Sequence, residues 1–82
     1  MHDHSIMVSL MRKIEGIAQA NDARRVTAVR VRLGALSHMS SQHFREHFAL
    51  ASRDSVAQEA LIEVEESQDL LGVFLVDVEL ER

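Results

Sequence analysis

Apolar residues recur every three or four positions from Ile6 to Ala18 and then every second position from Val29 to Leu33, and this change of period most constrains what the chain can fold into. Ile6, Met7, Leu10, Met11, Ile14, Ile17 and Ala18 share one face, with Arg12, Lys13, Glu15 and Gln19 between them, which predicts an amphipathic helix from about Ser5 to Ala20. Asp3 or Ser5 is placed to cap it. Asn21-Asp22 breaks the pattern, and Val29, Val31 and Leu33 alternating with Arg30 and Arg32 predict a strand covered on one face. Val26 and Ala28 fall on the opposite phase, so a bulge near Ala28 or burial on both sides is expected at the strand's start. Gly34 ends the strand, and hydroxyls between Ser37 and Ser41 offer caps for a second helix to about Ser52, with Phe44, Phe48 and Ala51 as its buried stripe. Ile62 and Val64 alternate with Glu63 and Glu65 as a second strand. Phe74, Val76, Val78 and Leu80 then mark the covered face of a third, with Asp77 and Glu79 opposite and Val73 and Leu75 turned away from the helices.

Only Ser67 to Gly72 separates the last two strands, which predicts an antiparallel hairpin between them. The strand-helix-strand unit before it suits a right-handed parallel crossover. The expected architecture is α+β, in the order α-β-α-β-β: a three-stranded mixed sheet with both helices on one face. At 82 residues the chain holds one domain, residues 1–82. A short link opens the way to exchange of the last strand between two copies, so monomer and strand-swapped dimer both stand as expectations.

Composition narrows the function. With no cysteine, thiolate zinc sites, disulfides and thiol nucleophiles are excluded, and His and carboxylates remain as metal ligands. No basic segment followed by an apolar run opens the chain, and no eighteen consecutive residues are apolar, so the expected location is the cytoplasm, with no membrane partner. The formal charge is −4 and there is neither Tyr nor Trp, a poor footing for nucleic-acid binding. Arg24, Arg25, Arg30 and Arg32 form a basic stretch, but their alternation with apolar residues reads as a solvated strand face rather than a phosphate strip. Catalysis is not expected: there is no glycine-rich phosphate loop and no nucleophile elbow, and alternating glutamates such as Glu63 and Glu65 serve solubility more often than acid-base work.

The opening residues Met1-His2-Asp3-His4 carry the most specific chemistry. The α-amine of Met1, the deprotonated backbone nitrogen of His2 and its Nδ1 would close fused five- and six-membered rings on one ion. Such rings enforce a plane, and nitrogen-rich planar coordination suits Ni(II) or Cu(II) over tetrahedral Zn(II). Asp3, His4 or a group from elsewhere would complete the site. The plainer reading makes His2 and His4 solvated residues on a frayed end. His43 and His47 stand four apart on the second predicted helix, about 40 degrees apart in projection. Two imidazoles there are close enough to share an ion, against the plainer reading of a half-buried histidine beside a solvated one.

Taken in order, Met1-His2, Ser5-Ile6-Met7-Val8-Ser9-Leu10, Ala23-Arg24-Arg25-Val26, Val29 to Ser37 and Ala60 to Glu65 resemble the HypA/HybF family of hydrogenase nickel-incorporation proteins. The resemblance covers nearly the whole chain. It implies Ni(II) held by Met1 and His2, with Asp3 in the third position; His4 and His38 stand as further candidates apart from the resemblance. Asp3 stands where the family usually has Glu, and Ser41-Gln42 where it commonly reads Pro-Glu. The family also carries a zinc-binding insert with two Cys-x-x-Cys pairs ahead of the last strand. Here a short link near residues 67–72 stands in its place, so no structural zinc is expected. The resemblance implies a metallochaperone, not an enzyme, with the maturation GTPase HypB and a nickel-enzyme precursor as partners. A metal-free adaptor that keeps the scaffold and binds a protein is the alternative reading, and loss of His2 would have favoured it.

Overall fold

A computed structural model describes residues 2–34, 39–68 and 72–82, with residues 2–4 described by their backbone alone. Two helices and three strands follow in the order expected: α1 (His2–Ala20), β1 (Arg25–Gly34), α2 (Ser41–Ala51), β2 (Leu61–Ser67) and β3 (Val73–Glu81). Helix α1 begins three residues earlier than the apolar period shows, so Asp3 and Ser5 lie inside its first turns rather than ahead of them. It ends in a Schellman motif: Ala23 N–H donates to the Ala18 carbonyl at 2.9 Å and Asp22 N–H to that of Gln19 at 3.2 Å, with Asp22 at φ 53°. Helix α2 is capped by Ser40, whose hydroxyl accepts from His43 N–H at 3.1 Å. Phe44 and Phe48 form its buried stripe, while Ala51 is exposed and Ser52 is buried in its stead.

The sheet order is β2-β1-β3, with β1 parallel to β2 and antiparallel to β3. The parallel crossover is therefore present, but the hairpin is not, because β2 and β3 flank β1 instead of pairing with each other. Charge accounts for this. The solvent faces of β2 and β3 are acidic, with Glu63 and Glu65 on one and Asp77 and Glu79 on the other, and direct pairing would set like charges opposite each other. Placing β1 between them interleaves Arg30 and Arg32. The five residues from Gln68 to Gly72 then bridge two strand spacings, about 10 Å, well within their reach.

Two register shifts set which residues face the helices. Val26 pairs with Leu80 and Ala28 with Glu79, so Thr27 is the extra residue on β1, and its hydroxyl donates to the Glu79 carbonyl at 3.3 Å. The bulge turns Val26 to the same side as Val29, Val31 and Leu33, and all four are buried. The second shift makes Val76 the extra residue on β3, since Arg30 pairs with Asp77 and Val31 with Leu75. It reverses the expected phase of that strand's first half: Val73 and Leu75 pack toward the core, while Phe74 is 47% and Val76 39% exposed. Val78 and Leu80, beyond the bulge, pack as expected. The core between helices and sheet is completed by Met7, Leu10, Met11, Ile14, Ala18 and Met39, and by Ala57 from the turns between α2 and β2.

Candidate metal centre at the amino terminus

Helix α1 opens at His2, which governs what its backbone offers. The first N–H groups of a helix have no carbonyl partner within it, so the amide of His2 is not consumed by the helix it begins. The positive end of the helix favours an anionic group such as a deprotonated amide or the carboxylate of Asp3, and resists a bare cation. A metal held here therefore relies on the chelate itself.

The topology gathers the elements around that end. Ser5, Ile6 and Ser9 of α1 line a shallow groove with Val73 and Leu75 of β3. Val73 pairs with Leu33 near the end of β1, and Gly34 N–H donates to the Gly72 carbonyl at 2.8 Å. The segment after Gly34 leads to α2, which opens at Ser41. The start of α1, the end of β1, the start of β3 and the start of α2 thus share one end of the domain. Met1 and His38 lie outside the described residues, as do the side chains of His2, Asp3 and His4. Among the described residues no group of three or more His, Cys, Asp or Glu is arranged to hold an ion.

The open sheet face carries the other charged cluster. Arg30 Nε meets Glu63 at 3.1 Å and its Nη1 meets Asp77 at 3.2 Å, Arg32 meets Glu65 at 3.1 Å, and Arg24 meets Glu81 at 3.0 Å. The register places the Arg30 and Arg32 pairs directly opposite one another on neighbouring strands, while Arg24 reaches Glu81 from just ahead of β1. The Glu63 hydrogen bond, then the charge of Asp77, holds the Arg30 guanidinium still more firmly protonated than usual. Arg24, Arg30 and Arg32 of the basic stretch are thus ion-paired on an exposed face, as the reading of a solvated face anticipated. Their acidic partners were in plain view in the sequence, but only the strand order shows which arginine each one meets. No described helix is long and apolar enough to cross a membrane.

On α2 the rings of His43 and His47 lie with centroids 4.2 Å apart and planes inclined by 40°. Both are half-buried. Arg45, on the opposite flank of the Phe44–Phe48 stripe, donates to the Ile62 carbonyl at 2.6 Å and so points away from them.

Comparison with known proteins gives consistent findings. Residues 1–71 match the family described as "Hydrogenase/urease nickel incorporation, metallochaperone, hypA". The hydrogenase maturation factor HypA of Wolinella succinogenes is 35% identical over 65 residues, covering 79% of this chain and 55% of that protein. The HypA of Archaeoglobus fulgidus is 31% identical over 64 residues, covering 78% of this chain and 58% of that protein. The chain thus spans somewhat over half the length of the curated relatives it matches. Among solved structures, the solution structure of the Ni metallochaperone HypA from Helicobacter pylori superposes with a TM-score of 0.80 at 21% identity, covering 99% of this chain and 98% of that one. The fold, two helices on a three-stranded mixed sheet, is the same.

Proposed function

Because this chain belongs to the HypA family of nickel-incorporation metallochaperones, we propose that it binds Ni(II) at its amino terminus and delivers it to a nickel-enzyme precursor, a hydrogenase in the first instance. The observation that carries the reading is that the family match starts at Met1 and takes in Met1-His2, the two residues able to supply three nitrogens. The start of α1 at His2 supports it, since the His2 amide has no intrahelical partner. In this reading the Met1 amine, the His2 amide nitrogen and imidazole, and Asp3 surround the ion, and His4 or His38 completes or relays it. Planar nitrogen ligation favours Ni(II) and also Cu(II), so selectivity rests on which ion is supplied.

The proposed working form is one domain with β2 and β3 joined directly by residues 68–72 where the family's zinc-binding insert stands. With no cysteine in the chain, it would carry no zinc of the family's kind. The proposed donor or acceptor is the maturation GTPase HypB, in the cytoplasm. Loading the chain with Ni(II), mixing it with HypB and following the metal through size exclusion tests delivery. Nickel that moves to HypB from this chain faster than from a His2→Ala variant is the expected result. Equal rates would place the nickel away from His2, and a chain that takes up no nickel to deliver would leave the metal-free adaptor as the better reading.

A further inference from the structure

We propose that His43 and His47 form a second transition-metal site, a two-imidazole clip on α2 for an ion such as Ni(II), separate from the terminal chelate. Residues four apart on a helix face the same way, and paired histidines at this spacing hold a metal between them in other helices. A metal sits about 2.0–2.1 Å from an imidazole nitrogen, hence about 3 Å from the ring centre, so two rings bound at a right angle have centroids about 4.5 Å apart. The observed 4.2 Å is already close to that separation. Buried Phe44 and Phe48 fix the helix on which both rings stand, so the spacing of the pair is held by the core.

The surroundings leave a bound cation exchangeable, because the first turn of α2 lies at the positive end of the helix and holds no acidic residue. Arg45 is engaged with Ile62 on the other flank, so it does not oppose a metal at the pair. Among the described residues no third ligand is gathered at the site. Water, or a carboxylate or imidazole from another molecule, would fill the remaining positions. Such a site is weak by construction and suited to passing an ion on. It begins at the first turn of α2, at the same end of the domain as the start of α1.

The inference does not rest on the terminal chelate, and the test separates the two. Nickel in a planar nitrogen chelate is diamagnetic, whereas two imidazoles completed by water leave it paramagnetic, and a paramagnetic ion broadens the proton resonances of the rings that bind it. In a His2→Ala variant, Ni(II) should broaden the ring resonances of both His43 and His47. His47→Gln should weaken the effect on His43 by at least about tenfold in nickel concentration, since one bond no longer makes the second intramolecular. His43→Gln should act likewise on His47, with unchanged core methyl resonances showing that each variant is folded. Sharp rings at a tenfold excess of nickel, or broadening of one ring that ignores replacement of the other, would overturn the proposal.

Discussion

Asp22 sits at the left-handed position of the motif that ends α1, a place where glycine is favoured and where a negative charge also faces the negative end of the helix. Asp22→Gly is therefore expected to stabilise the domain by up to about 1 kcal/mol, measured by urea unfolding. Ser40 works in the opposite sense. It caps α2 and satisfies the His43 N–H, so Ser40→Ala should cost about 1 kcal/mol in the same assay. Both positions are partly legible in the sequence, since Asn21-Asp22 announces a helix end and Ser37 to Ser41 offers several caps. Which serine caps, and that Asp22 takes the left-handed conformation, follow only from where the neighbouring elements lead the chain. Met1, His2 and Asp3 are proposed from the sequence alone, because these ligands are contiguous and their chemistry is local.

The bulges show what element-level pattern reading can and cannot recover. In β1 two apolar phases meet within one strand, Val26 on one and Val29 on the other, and only an extra residue reconciles them with a single buried face. In β3 every residue from Val73 to Val76 is apolar, so that stretch has no phase, and the one read backward from Val78 and Leu80 is wrong beyond the bulge. The consequence is measurable. Leu75→Ser should cost about 1–2 kcal/mol because Leu75 packs toward α1, whereas Phe74→Ser should stay within about 0.5 kcal/mol. The reverse ranking would mean that β3 lacks the bulge at Val76.

At the scale of the whole molecule, the strand order follows from sorting charge as much as from covering apolar surface. Arg30 between Glu63 and Asp77 keeps two acidic strands apart on the open face, so Arg30→Glu should lower the thermal midpoint, and added salt should recover part of the loss. The same order brings the starts of α1, α2 and β3 to one end of the domain, where the proposed nickel chemistry belongs. That chemistry is tested most directly by titrating Ni(II) into the chain with its native amino terminus and recording the visible absorption of the adduct. His2→Ala and a form with one extra residue ahead of Met1 serve as controls. One equivalent giving a planar-nickel spectrum, absent in both controls, is the predicted result. A spectrum that survives both changes, or no planar adduct at all, would contradict it.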